Sequence, residues 1–462
     1  MQNFIKIERI EPEKRGSNER KKDFKEIYNV FKPLEAEIQA DRCVQCGDPG
    51  CHVKCPLHNY IPQWLKTVAN KDSHMAFRLS NESNPFPEIT GRICPQDRLC
   101  EQDCTLQQDG YGAITIGSVE TYISENGFKN GWRPEFAETM TDKKVAIVGS
   151  GPAGFSVATY LLRAGINVEM FEKSSRPGGL LTYGIPSFKL EKEVVFRRFK
   201  WLEEAGMKLF LNVEVGKDIE FSELMENYDA VFVGIGAEAS KKANLTGENG
   251  KNVFIAIDFL KNIQQKHFDE AFDNGFDVEN KNVVVIGGGD TAMDCIRTSL
   301  REKAQSVKCL YRRDGHNMPG SRKEFKNAKE EGAEFIFYAS PKEVLLNDNG
   351  EVIGIEMEKT MLTQKDDSGR QGIEIVENSS FRVDADVVIF ALGFNNTTPK
   401  FLSENGVEMD KWGAITANEN QETSKPFIYA GGDCFRGSDL VVTAAQDGKV
   451  AATAIAKKLL RK

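Results

Sequence analysis

The sequence predicts an α/β protein in which a cysteine-rich module precedes two nucleotide-type strand, turn and helix units, and three observations predict it. Seven of the ten cysteines lie within the first 104 residues. Two short apolar runs, Lys144–Val148 and Lys281–Ile286, each lead into a glycine cluster and then a helical pattern. Each unit then has a second apolar strand, ending at Glu172 in one case and at Arg312-Arg313 in the other.

The cysteines fall as Cys43-x2-Cys46-x4-Cys51-x3-Cys55-Pro56 and, after a gap, Cys94-Pro95-x4-Cys100-x3-Cys104. Thiols a few residues apart, closing on a Cys-Pro step, gather around one small volume, as an iron–sulfur cluster requires. Disulfides are one rival. They need an oxidising compartment, and the start Met1-Gln-Asn-Phe-Ile-Lys-Ile-Glu-Arg-Ile10 has no secretory pattern, so a cytoplasmic setting is expected. Zinc is the stronger rival, since Cys43-x2-Cys46 suits half of a structural site that His52 and His58 would complete. The second cysteine run and the two Cys-Pro steps do not follow zinc spacing, and both histidines read as polar neighbours of the clusters. Seven thiolates leave two four-ligand clusters one ligand short. That ligand is another residue type, solvent, or missing.

The 462 residues allow two or three domains, and 40% hydrophobic with 28% charged residues is ordinary for a soluble protein. No stretch approaches the roughly 18 consecutive apolar residues of a membrane span. A net charge of −9 argues against general nucleic-acid binding. The basic Arg20-Lys-Lys22 is interleaved with acids and reads as a solvated helical face or a loose arm. Cys295, Cys309 and Cys434 read as buried thiols.

In the first unit, Lys144–Val148 runs into Gly149-Ser-Gly151-Pro152-Ala153-Gly154 and a helix ending near Gly165. Gly149 serves the tight turn, Gly151 admits a pyrophosphate to the backbone, and Gly154 lets helix and strand close. The second strand, Asn167–Phe171, ends at Glu172, 23 residues after Gly149, where a carboxylate accepts from ribose hydroxyls. The second unit repeats the pattern with Gly287-Gly-Gly289-Asp290-Thr291-Ala292, a helix over Met293–Leu300 and the strand Ser306–Tyr311. There Arg312-Arg313 replaces the acid, and guanidiniums suit a 2′-phosphate, so NADPH is expected. The alternative is that both arginines are surface residues and Asp314 restores the acid. Two different endings imply two nucleotides, and the first unit suits FAD. Ala385–Gly393, a buried strand containing Ala391 and ending in Gly393, and Phe427–Asp433 support this. Asp433 after Gly431-Gly432 can hold a ribityl hydroxyl, while the helix starting near Leu440-Val441 can aim its N-terminus at the flavin.

Across nearly its whole length the chain resembles the small (beta) subunit family of bacterial NADPH-dependent glutamate synthase, related to the N-terminal half of dihydropyrimidine dehydrogenase. The resemblance rests on the cysteine runs, Gly149–Gly154, Gly178–Pro186, Gly288–Asp294, Tyr311–Asp314, Asn317–Arg322 and Ala430–Cys434. It implies an N-terminal helical domain with two [4Fe-4S] clusters (1–140), an FAD domain (141–250 and 386–462) and an inserted NADPH domain (251–385). It further implies Gly179, Leu180 and Lys189 at the flavin and Arg322 at NADPH. Where the related branch has a glutamine ligand after an Ile-x-Ile-Gly segment, this chain has Glu120. The implied ligand sets are Cys43, Cys46, Cys51 and Cys104 for one cluster, and Cys55, Cys94, Cys100 and Glu120 for the other. Glu120 as a solvent-facing helix residue is the competing reading.

Nicotinamide gives up an electron pair, flavin accepts it and releases single electrons, and clusters carry electrons singly, so the chain reads as a two-to-one electron converter. No catalytic acid is expected. The sequence has no room for an amidotransferase domain or a (β/α)8 barrel. The resemblance therefore implies a large (alpha) partner carrying FMN and an iron–sulfur cluster, which makes L-glutamate from L-glutamine and 2-oxoglutarate. Other functions remain open: the small subunit of a dihydropyrimidine dehydrogenase, a subunit of an electron-bifurcating transhydrogenase, and a zinc-folded regulatory module.

Overall fold

A computed structural model describes residues 3–237, 239–365, 371–396 and 399–461 of the chain. Two parallel five-stranded sheets form its frame. The first comprises β1 (Lys144–Val148), β2 (Asn167–Glu172), β3 (Lys208–Leu211), β4 (Ala230–Val233) and, from the far end of the chain, β15 (Ile428–Ala430). Its order is β15-β4-β1-β2-β3. The second comprises β6 (Val253–Ile255), β7 (Asn282–Ile286), β8 (Ser306–Tyr311), β9 (Glu334–Phe337) and β13 (Val387–Phe390), in the order β6-β13-β7-β8-β9. In each sheet the glycine-linked strand is followed by its next two strands in turn, and each sheet takes one strand from a distant segment, β15 at the edge of the first and β13 in the interior of the second. The near-continuous apolar runs follow from helices covering both faces, and every residue of β4 and β13 is buried.

Between β9 and β13 the chain builds an antiparallel sheet of β10 (Ala339–Leu346), β11 (Val352–Lys365) and β12 (Gln371–Val383). The two crossings between units pair with each other as β5 (Ala239–Ser240) and β14 (Phe394–Asn395). These pairings correct the expected boundaries at 250/251 and 385/386. Val387 to Phe390 align with Val283 to Ile286 of β7, so the strand read as part of the FAD unit belongs to the second sheet. Thr246, expected in the first unit, likewise bridges to Glu343 of the second unit. An apolar strand buried on both faces carries no mark of which sheet it joins.

The N-terminal module is made of short helices, including Pro33–Ala40, Ile61–Ala69, Ser73–Ser83, Pro87–Ile93 and Ile116–Lys129. Proline stands in the first turn of three of them, where a missing N–H costs no hydrogen bond. Trp64, Phe77 and Ile123 fill its centre. Leu57, Phe86 and Ile89 instead join the core of the first sheet beside Ile147, Phe155 and Leu161. The buried Arg198–Glu88 ion pair and the bond from Tyr160 Oη to Ser83 O at 2.8 Å fix the same contact. Residues before the module reach the second unit. Arg20, only 1% exposed, donates to Glu331 at 2.8 Å, and Arg297 and Arg301 hold the same carboxylate. Arg20 is therefore an interdomain anchor and not part of a solvated face. Among the described residues no helix is long and apolar enough to cross a membrane.

Candidate functional site

The two glycine turns differ in what each glycine is for. At Gly149, φ is +96° and an added Cβ would stand 2.5 Å from Gly234 O, so the turn itself demands glycine. At Gly154 a Cβ would lie 2.1 Å from Gly149 O, which would push the helix Pro152–Arg163 off the strand. Gly151 is in ordinary extended backbone (φ −63°, ψ 179°), and a Cβ there would meet only Gly234 O at 3.9 Å. The fold makes no demand for glycine at 151. What the residue preserves is open space in front of the helix N-terminus, where the N–H groups of Ala153 and Gly154 lack intrahelical partners.

Glu172, Gly179 and Gly432 are brought to this turn. Glu172, 5% exposed, accepts from Ser150 N at 3.0 Å and Ser150 Oγ at 2.5 Å through Oε2, and from Ser174 N at 2.8 Å through Oε1. Ser150 Oγ also accepts from Gly178 N at 2.9 Å, drawing in the Gly178-Gly179 step ahead of the short helix Leu180–Tyr183. A Cβ on Gly179 would sit 3.1 Å from Gly151 Cα. Gly432, at φ +77°, approaches Ala153 from the other side, with Asp433 next to it. Burial pushes the Asp433 carboxyl up to about 6. Asp447 fixes this corner by accepting from Gly432 N at 2.9 Å and Arg436 Nε at 2.7 Å. Leu440 caps the helix Val441–Leu459. Lys189 has a different partner: its Nζ donates to Asp294 of the second unit at 2.8 Å, tying the two units together.

The second turn repeats the division. Gly287 has φ +147° and would clash with Ala391 O, while a Cβ on Gly288 would meet the Tyr311 ring at 2.5 Å. Gly289 has φ −87° and ψ 178°, with nothing within 4 Å of an added Cβ. Ala292, fully buried, takes the place of the third glycine. Thr291 lies beside it in the first turn of the helix Asp290–Arg301, and Gly393 accepts from Lys241 N at 2.9 Å where the chain crosses back. Arg313 is 9% exposed and its buried Nε has no hydrogen-bond partner. Among the described residues the side chains of Arg312, Arg313 and Arg322 make no ion pair, whereas Asp314 is taken up by Asn317 N and Nδ2 at 2.8 and 2.9 Å. An unpartnered buried guanidinium fits an anion.

The cysteines separate into two groups. Cys43, Cys46, Cys51 and Cys104 line one hollow together with Val44, Leu65 and Ile114. Burial pushes Cys43 up to about 11 and Cys51 up to about 12, with their neighbouring thiols adding to the effect. Four thiols lining one hollow fit a multi-iron group. Among the described residues no three His, Cys, Asp or Glu side chains converge on a single ion, and His52 faces His58 at 5.5 Å and Asn59 O at 3.1 Å. Cys55, Cys94, Cys100 and Glu120 form the second group. Burial raises all three thiols, and the Glu120 charge raises them further.

Glu120 is 6% exposed, which removes the solvent-facing reading. Oε1 accepts from Asn59 Nδ2 at 2.5 Å and Asn84 Nδ2 at 3.2 Å, and Oε2 from Thr90 Oγ1 at 3.2 Å. Burial pushes its carboxyl up to about 7 against these bonds. Cys55 and Cys94 touch the core of the first sheet. Lys449, from the C-terminal helix, is an electrostatic neighbour of Cys55 and donates to Ser83 O at 3.3 Å. Sequence reasoning missed Ser150, Asp447 and Lys449. Asp447 and Lys449 flank a glycine on a helix otherwise rich in small apolar residues, a signal that was available. Ser150 carries no such signal.

Residues 20–132 match the family described as dihydropyrimidine dehydrogenase domain II, 4Fe-4S cluster, and residues 143–448 match pyridine nucleotide-disulphide oxidoreductase. The glutamate synthase [NADPH] small chain of Escherichia coli is 48% identical over 98% of this chain and 97% of that protein. The corresponding small chain of Azospirillum brasilense is 42% identical over 98% and 95%. In three dimensions, Mycobacterium tuberculosis FprA in complex with NADPH aligns over 69% of this chain and 85% of its own, with a TM-score of 0.58 and 23% identity, a likeness of fold alone. Glycine turns, strand endings, cysteine groups and near full-length identity agree: the chain belongs to the family of the glutamate synthase NADPH small chain.

Proposed function

We propose that the chain accepts a hydride from NADPH onto FAD and relays single electrons, through two [4Fe-4S] clusters, to a large subunit that makes L-glutamate from L-glutamine and 2-oxoglutarate. The observation that carries this reading is the pair of turns whose middle glycines, Gly151 and Gly289, guard empty space, one backed by a buried carboxylate and the other by an unpartnered guanidinium. When bound, the flavin takes an electron pair from a reduced nicotinamide and hands on single electrons, which iron–sulfur groups carry.

The chain's own residues hold and orient. The first turn, Glu172, Gly179 and the Gly432-Asp433 corner receive FAD, with Asp447 keeping that corner in place. The second turn receives the NADPH pyrophosphate, and Arg313, Arg312 and Arg322 receive its 2′-phosphate. Cys55, Cys94, Cys100 and Glu120 form the ligand set beside the flavin unit, with Cys43, Cys46, Cys51 and Cys104 beyond it. On this reading the large subunit carries FMN and its own iron–sulfur cluster.

The test is anaerobic reduction of the purified chain by NADPH, with flavin and iron analysis, followed by addition of a large subunit, L-glutamine and 2-oxoglutarate. Bleaching of the flavin and formation of L-glutamate are expected. A colourless zinc protein, or a reduced chain that sustains pyrimidine reduction and no glutamate formation, would overturn the reading. Glu120→Ala tests the least usual ligand: it should lose iron and one low-temperature EPR signal while its flavin still bleaches. Unchanged iron and spectra would remove Glu120 from the set.

A further inference from the structure

The loop between Cys94 and Cys100 does more than space two thiols. Its middle, the turn Gln96–Arg98, leaves the cysteine module and touches the second nucleotide unit. Arg98 Nη1 donates to Pro319 O, and Arg98 Nη2 donates to Asp290 Oδ2 at 3.3 Å. Asp97 Oδ2 accepts from Arg322 N at 3.1 Å. These contacts close a short circuit around the glycine turn. Asp290 Oδ1 accepts from Ser321 N at 2.9 Å, and Gly320 N donates to Gly288 O at 3.0 Å. The segment Pro319–Arg322 is therefore held on one side by the turn Gly287–Gly289 and on the other by Asp97 and Arg98.

The loop is also firm on its own side. Gln96 O accepts from the backbone N–H groups of Leu99, Glu101 and Gln102, and Gln96 Nε2 donates to Gly91 O at 3.0 Å.

We propose that this loop couples the two sites energetically: nucleotide at the second turn and the metal centre held by Cys94 and Cys100 stabilise each other through Asp97 and Arg98. The proposal rests on the NADPH and cluster assignments above. Its logic is linkage. If an assembled centre fixes the loop that orders Pro319–Arg322, nucleotide binding must favour the assembled centre by the same factor. Asp97 and Arg98 are positioning residues, acting through the segment that carries Arg322. Arg98 and Asp290 are partly exposed, so the coupling is modest.

The experiment uses the full holoprotein and the probe NADP+. Iron release to a chelator is followed without and with NADP+, alongside the NADP+ dissociation constant from titration calorimetry, for the unmutated chain, Arg98→Lys and the double variant Asp97→Ala with Arg98→Met. NADP+ should slow iron release in the unmutated chain. The double variant should bind NADP+ roughly threefold to tenfold more weakly, as the loss of a few rim contacts implies. At saturating NADP+ it should lose the protection of iron while still retaining its flavin, and Arg98→Lys should recover part of both effects. NADP+ binding that leaves iron release unchanged in the unmutated chain, or protection that persists in the saturated double variant, overturns the coupling alone. Absence of NADP+ binding to the unmutated chain overturns the nucleotide assignment and the coupling together.

Discussion

The two glycine turns share a strand, a helix and the same succession of two parallel strands to one side, and they part company at the end of the second strand. At the first, Glu172 is buried and its carboxylate already bonds to the turn through Ser150. At the second, Arg313 is buried with a guanidinium nitrogen that has no partner. A finished hydrogen-bond set stabilises the chain before ligand arrives, whereas an orphaned buried donor costs stability until an anion meets it. The outer glycines, or the alanine in place of one, answer to the fold. On the proposed reading, the middle glycine and the strand end answer to the ligand.

The largest effects come from filling the space over the middle glycines. Valine is compatible with the backbone at both positions, so Gly151→Val and Gly289→Val should fold and differ only in what they bind. Gly151→Val should be purified with iron and without flavin. Gly289→Val should keep flavin and iron but no longer be reduced by NADPH, with flavin content and anaerobic bleaching as the readouts. Loss of flavin from Gly289→Val instead would exchange the two assignments.

The next effect is smaller and falls on nucleotide choice. Arg313→Ala removes a buried charged donor, and hydrogen bonds to charged groups contribute roughly 1.5–3 kcal/mol, or about tenfold to a hundredfold in affinity. The KM for NADPH should rise by that factor with kcat little changed, while NADH kinetics stay the same. An equal loss for both nucleotides would mean that Arg313 supports the fold and does not read the 2′-phosphate.

Both turns were legible in the sequence because their physics is local: strand, glycine and helix lie within about twenty residues, and the strand end follows at a fixed distance. The two cysteine groups were named through the family resemblance, since spacing alone does not say that Cys104 joins the first group. What stayed hidden depends on distant partners. Arg20 looked solvated because Glu331, its counter-ion, lies 311 positions away. Val387–Phe390 went to the wrong unit because its partners, β6 and β7 of the second sheet, lie far back in the chain and an apolar strand buried on both faces carries no sequence mark of which sheet it joins. The surroundings of Glu120 were equally invisible, since Asn59, Asn84 and Thr90 are ordinary residues until the helices bring their donors together.

The smallest effect separates the two adjacent arginines. Arg312 is exposed while Arg313 is buried, although both stand at the same strand end. An exposed charge acts on a bound phosphate through water and salt, with a Debye length of about 8 Å at physiological ionic strength, and a buried one is screened far less. Arg312→Ala should therefore raise the NADPH KM by only about twofold to fivefold, the range of a surface ion pair. That increment should shrink as salt is added. The Arg313→Ala increment should hold across the same salt series. KM measured for both variants at low and high salt decides the matter, and equal, salt-independent losses would show that the two guanidiniums meet the phosphate alike and that burial at this strand end does not set their roles.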